Sequence, residues 1–220
     1  MPGEAEAADA THGDETSKPD GRLRPLSAQL RSISGQVVVL PTGARAALRR
    51  MDPEAPGRAT GEVVPLLVAA GVPRHEWASD DGLRRWARLC HLIAVLAGVA
   101  GREAHAPVQE RAPSGEKAGP RRTERAAGRA IHAAGLSELR LMRLTSARGP
   151  ALGAQVDRLG RYLAAAGVAP VDLTPLADLV LADGRDEDRA DRARLDIART
   201  YYAGEEQEAK EQQKPKRDGL

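Results

Sequence analysis

The chain has 220 residues, a formal net charge of +2, one cysteine, three Tyr, two Trp and no Phe. A single cysteine excludes an internal disulfide and a cysteine-rich zinc site. The longest apolar-dominated run, residues 89–100, contains His91 and is too short to span a bilayer, which needs about 20 residues.

Residues 1–20 carry six acids and one Lys without an apolar stretch, so 1–22 is expected to be a disordered acidic tail and not a secretory signal. A soluble, cytoplasmic protein without membrane contact is expected. The next elements read as helices. One covers 26–33, while QVVVL at 36–40 is compatible with a strand or a helix. Thr42 is placed to cap a helix over 43–51, which Asp52-Pro53 ends, and 63–70 forms an apolar helix stopped by Gly71 and Pro73. Asp80 or Asp81 caps a strong helix over 82–99. Leu83, Trp86, Leu89, Cys90, Ile93, Ala94, Leu96 and Ala97 share its broad apolar face, with Arg84, Arg88 and His91 as a polar strip on the other side.

Residues 102–120 hold Pro107, Pro113, Ser114, Gly115, Gly119 and Pro120, the composition of a linker. Beyond it five helices are expected, over 121–134, 138–148, 151–166, 175–183 and 186–203. Gly135, Gly149-Pro150, Gly167, Pro170 and Gly184 punctuate them, and Thr174-Pro175 makes an N-cap and first-turn pair. Residues 204–220 are expected to be a frayed helical extension ending in a flexible tail. The expected fold class is all-α: two small helical bundles, 23–101 and 121–203, joined by the Pro/Gly-rich linker 102–120.

Charge is unevenly placed along this framework. Residues 1–20 carry −5 and 204–220 carry −1, so 21–203 carry +8, and 28 of the 33 basic residues are Arg. A GC-rich genome accounts for Arg over Lys but not for the asymmetry of sign. Between Arg121 and Arg161 nine arginines face three acids, Glu124, Glu138 and Asp157. At about 100° per residue, Arg121, Arg122, Arg125 and Arg129 fall in one band opposite small apolar residues, with His132 on the basic side. Arg140 and Arg143 form a narrow strip on a helix whose remaining surface is mostly Leu and Met. Arg158 and Arg161 oppose the stripe Leu152, Val156, Leu159 and Leu163. In the first half Arg45 and Arg49 are i, i+4 neighbours, with Arg50 rotated about 100° away. A solvated charge face is the bland reading of each set. A face of one sign repels itself until an anion sits on it, and Arg grips phosphate bidentately, so nucleic acid is the favoured partner.

Nothing points to catalysis. His75, His91, His105 and His132 lack metal-ligand spacing, Cys90 lies on an apolar helix face, and the acids at 186–191 lack a calcium-loop pattern. GxxxxGK[ST], GxGxxG and GxSxG are absent from the sequence. No catalytic residue, metal or cofactor is expected.

Several stretches in combination resemble a known family. They are GARAALRR at 43–50 and GRAIHAAGLSELRLMRL at 128–144. QVDRLGRYLAAAGVAPVDLTPLADLVLAD and a closing ARLDIARTYY follow. Their order and spacing resemble the CasB family, the small subunit of the type I-E CRISPR surveillance complex (Cascade). The resemblance implies an all-helical, two-lobed, non-catalytic protein. Its implied partners are the other Cascade subunits, the guide RNA ribonucleoprotein, a second copy of itself, and the target and displaced non-target DNA strands, whose R-loop it stabilises. Arg45, Arg49 and Arg50 match the basic positions of the first motif. Arg140 and Arg143 match those of the second, and Arg129 leads into it. With Arg122 and Arg125 from the neighbouring basic band, these eight arginines are the candidate nucleic-acid-binding residues. The alternative is a helix-turn-helix transcription regulator built on AIHAAGLSELRLMRL. Its recognition helix would present mostly Leu and Met, a poor surface for reading base edges.

Overall fold

The computed structural model describes residues 24–100, 103–107 and 125–213. Among them are ten α-helices, one 3-10 turn (Pro56–Ala59) and no strand. The helices are α1 (Leu26–Val39), α2 (Thr42–Arg50), α3 (Thr60–Ala70), α4 (Arg74–Trp77), α5 (Asp80–Ala100), α6 (Ala127–Ala133), α7 (Glu138–Ser146), α8 (Gly149–Ala165), α9 (Thr174–Ala182) and α10 (Glu187–Gln213). The all-α expectation is met. The 3-10 turn and α4 are too short for periodicity to reveal.

The β-branched run at 37–39 belongs to α1. Leu30, Ile33 and Val37 sit at i, i+3 and i+7 and are fully buried where α1 packs on α3 and α5. Burial of that stripe outweighs the weak helix preference of valine. The caps differ from expectation at three places. Thr42 does not cap α2 but is its first residue after Pro41, and no side chain caps that end. Ser79 Oγ, not Asp80 or Asp81, accepts the Gly82 N–H at 3.1 Å, and Asp81 instead binds Arg85 and Arg185. At α9, Asp172 Oδ1 accepts the Thr174 N–H at 2.9 Å, so Asp172 and not Thr174 closes that end.

Helix α5 is the central element, packed against α1 and α2 on one side and α8 on the other. Its contact with α8 is unusually close. A Cβ on Gly153 would collide with the Arg88 guanidinium, and one on Gly160 would meet Leu92 Cδ1. Gly153 and Gly160 lie seven residues apart on one face of α8, as Arg88 and Leu92 lie four apart on α5. The polar strip of Arg84, Arg88 and His91 is thus buried at Arg88. Arg88 is 7% exposed, donating from Nη2 to Glu54 Oε1 at 2.6 Å and from Nε to Asp157 Oδ1 at 3.2 Å. His91 is buried too, with Nδ1 donating to the Leu48 carbonyl at 2.9 Å.

Polar ties lock the remaining helices. Arg85 Nη1 donates to the Val180 carbonyl at 2.7 Å. The buried Arg194–Asp183 pair is 2.8 Å long, and Asp183 Oδ2 also accepts the Gly149 N–H at 2.6 Å. Gly128 lets α6 lie against α10 and donates its N–H to Thr200 Oγ1 at 3.1 Å.

Of the expected linker, residues 103–107 are described and the rest lies outside. This end is anchored: Ser34 Oγ accepts the Ala104 and His105 N–H groups at 2.8 and 3.1 Å, and 104–106 pair with Val171. Helix α10 runs ten residues past the expected end at 203, into the segment read as a frayed extension. There Gln207 accepts from Arg129 at 2.8 Å and Glu208 lies 3.6 Å from His132.

Gly35 and Gly153 differ in what a side chain would meet. Gly35 sits inside α1 with open space where a Cβ would be, so Gly35→Ala should stabilise the fold by about 0.5–1 kcal/mol. Gly153→Ala should destabilise it by about 1–3 kcal/mol, because the Arg88 guanidinium must shift. Chemical denaturation of the two variants checks both signs.

His105 supplies a pH dependence. It is fully buried, and its Nδ1 accepts the Leu173 N–H at 3.0 Å, which requires the neutral ring. Burial pushes its pKa below the ordinary value, against the opposing pull of the Asp172 carboxylate 3.9 Å away. A base with a lowered folded pKa keeps full stability above its unfolded value of about 6.5, and loses it as pH falls from there toward the folded value. Thermal midpoints should therefore drop between pH 7.5 and 5.5, and His105→Asn should show a shallower drop across that window.

Candidate nucleic-acid interface

Helices α7 and α8 build one cleft from neighbouring faces. Gly135, at φ +79°, turns the chain between α6 and α7, and α7 seats Leu141 and Leu144 in the core. Arg140 and Arg143, at i and i+3, share one side of α7. On α8, Gln155, Arg158 and Tyr162 stand at i, i+3 and i+7. At about 100° per residue they lie roughly 140–200° around the helix from Gly153 and Gly160. The glycine face that meets α5 thus aims this second face away from it.

The cleft has a volume of about 230 Å³. Arg140, Arg143 and Arg158 line it with Gln155, over an apolar floor of Leu136, Leu144, Leu159 and Tyr162. The Arg140 guanidinium lies 5.7 Å from the centre of the Tyr162 ring, a cation–π contact. The Tyr162 hydroxyl donates to the Ala134 carbonyl at 3.0 Å, which fixes the ring. Among the described residues no carboxylate lies within 4.0 Å of Arg140, Arg143, Arg158 or Arg161. The two nearest acids in sequence are engaged elsewhere. Glu138 accepts from the Tyr202 hydroxyl at 2.6 Å, and Asp157 holds Arg88. Three cations converge here without a counter-charge among the described residues.

The other sequence-predicted arginines are placed separately. Arg45, Arg49 and Arg50 sit on α2. Arg49 and Arg50 are exposed, the Arg49 side chain lying across Gly98 of α5. Arg45 is half-buried and donates to the Val38 carbonyl at 3.3 Å, closing the end of α1. Arg125 is exposed and precedes α6; its carbonyl accepts the Asp172 N–H. Arg129 is half-buried against Gln207. Arg122 falls outside the described residues. Arg148, one of the nine arginines of the basic stretch, faces Asp183, Glu187 and Asp191 at 3.6–4.0 Å.

Sequence reasoning placed Arg158 on the outer side of its helix but not in the candidate site. The available signal was the one-face spacing of Gln155, Arg158 and Tyr162, which helical phase alone does not connect to Arg140. Helix α7 is also less buried than its composition implies, since Leu139 and Met142 are 56% and 55% exposed.

Comparison with known families places the chain. It is a CRISPR-associated protein: the family model for CRISPR-associated protein Cse2 matches residues 44–202, from α2 into α10. The chain belongs to the Cse2 (CasB) family, whose members are subunits of the type I-E Cascade complex. The matched span holds Arg45, Arg49, Arg50, Arg140, Arg143 and Arg158. No curated protein and no solved structure matches the chain. No helix among the described residues is long and apolar enough to cross a membrane, and none of their His, Cys, Asp and Glu side chains group as a metal site.

The structure sorts its arginines into paired and unpaired, and stability should follow that division. Replacing both Arg140 and Arg143 by Ala should cost less than about 0.5 kcal/mol each. Arg88→Ala should cost about 3–5 kcal/mol, because Asp157 is left without its partner. Thermal unfolding of the two proteins, side by side, measures the contrast.

Proposed function

We propose that this chain is a non-catalytic nucleic-acid-binding subunit of its Cascade complex, which stabilises the R-loop through sequence-independent contacts to phosphates of the target and displaced DNA strands. The observation that carries the reading is the cleft of Arg140, Arg143 and Arg158, which has no acid to neutralise it among the described residues. Guanidinium groups there meet phosphate oxygens bidentately, and counterions released from the strand supply the free energy. Arg49 and Arg50 on α2, and Arg125 beside α6, extend the contact; Arg45, Arg129 and Arg122 complete the candidate set. In this reading residues 23–101 and 121–203 act as two lobes, each presenting one arginine set, and 102–120 joins them. The complex works in the cytoplasm, with the guide RNA ribonucleoprotein, the other Cascade subunits and a second copy of the chain as partners.

The mechanism needs no base reading. Exchange of a DNA duplex for a guide–target heteroduplex is nearly balanced in free energy, so backbone contacts tip it. Each neutralised phosphate holds the opened strands apart without regard to their sequence. The transcription-regulator alternative fits less well. Its recognition helix is α7, which buries Leu141 and Leu144 and presents Leu139 and Met142 beside the arginines.

If four to six phosphates are neutralised, log K for DNA binding should fall with log salt at a slope of about −3 to −5. Arg140→Ala with Arg143→Ala should flatten that slope by about one to two units. The assembled complex carrying the double variant should retain its guide RNA and subunits but bind target DNA less tightly. Equal target binding by the variant and parent complexes contradicts the assignment of these arginines.

A further inference from the structure

The α7–α8 cleft is more than a cationic surface. Its floor is apolar and partly aromatic, its rim is three guanidinium groups, and Gln155 offers an amide donor and acceptor between them. A phosphate alone satisfies the rim and leaves the floor without a partner. At about 230 Å³ it is smaller than the roughly 300–1,000 Å³ of a site for a drug-sized ligand. A planar group the size of one nucleobase is therefore a better match than a larger ligand. A duplex keeps its bases paired and stacked, out of reach of such a floor. An unpaired strand can turn one base aside while its phosphates stay on the arginines.

We propose that the cleft takes one unstacked nucleotide of a single strand, its base laid on Leu144, Leu159 and Tyr162 and its flanking phosphates held by Arg140, Arg143 and Arg158. This rests on the phosphate-binding reading above and adds to it a preference for unpaired over paired DNA. Tyr162 is suited to the role: its hydroxyl is tied to the Ala134 carbonyl, which fixes the ring before a strand arrives, and Arg140 moves from the ring to a phosphate as the base takes its place. Gln155 and Arg158, on the same face of α8, meet the base edge and the phosphate.

The test compares two strands of equal phosphate count on the full-length protein: oligothymidylate and a fully abasic strand, by fluorescence anisotropy across a salt series. Base–aromatic contact predicts that the abasic strand binds about tenfold more weakly at each salt, with the same slope. Tyr162→Leu, which leaves every arginine in place, should narrow that ratio to about twofold. Gln155→Leu, which removes the amide at the base edge without adding an aromatic surface, should also narrow the ratio; circular dichroism shows which variant keeps its helices. Equal affinity for both strands with a steep salt slope overturns the nucleotide site and leaves the phosphate reading standing. Absence of salt-dependent binding to either strand overturns both. A tenfold preference that survives in the folded variants places the base elsewhere and overturns the assignment to this cleft.

Discussion

The position of the Arg88 guanidinium, held between Glu54 and Asp157 over the bare backbone of Gly153, is the constraint on which the arrangement rests. A buried cation needs its charge and its N–H groups satisfied, and Arg88 finds one partner in each half of the chain. Glu54 lies beyond α2, while Asp157 is on α8. The pair of contacts therefore ties the first half of the chain to the second. Gly153 and Gly160 let the helices approach closely enough for it, and that approach fixes the rotation of α8 about its axis. With the glycine face turned to α5, Gln155, Arg158 and Tyr162 turn the other way, toward Arg140 and Arg143.

The same electrostatic rule sorts the remaining arginines. Those at contacts between helices are matched with acids or carbonyls: Arg85 with Asp81 and Val180, Arg189 with Asp178, and Arg194 with Asp183 and Asp191. Arg140, Arg143, Arg158 and Arg161 are exposed and have no carboxylate within 4.0 Å among the described residues. In water an unpaired surface cation costs little. Several on one face raise the local potential and favour an arriving polyanion. With Glu138 and Asp157 engaged elsewhere, a chain with a net charge of only +2 still presents a cationic face at this cleft.

What the sequence made legible follows from the range of each interaction. Helical phase is local, so the fold class, the major helices and the glycine stops were readable from spacings of three and four residues. Arg88 and His91 were legible only as a polar strip, and their burial was not, because their partners lie far along the chain: Glu54 is 34 residues away, Asp157 is 69, and Leu48 is 43 from His91. Val37 was ambiguous because β-branched residues lean toward strands until tertiary burial decides. Ser34 gave no sign of holding Ala104 and His105, a contact spanning about 70 residues. In the site, the arginine strip of α7 was legible, whereas Arg158 joined it only through the rotation that Gly153 and Gly160 impose on α8.

Arginine-selective chemical labelling, read residue by residue by mass spectrometry with and without bound single-stranded DNA, tests the central division most directly. The account predicts that Arg88 and Arg194 stay unlabelled in both states. Arg140, Arg143 and Arg158 should label readily in the free protein and be protected when DNA is bound. Labelling of Arg88 at the rate of Arg140, or undiminished labelling of Arg140, Arg143 and Arg158 in the DNA-bound protein, would contradict it.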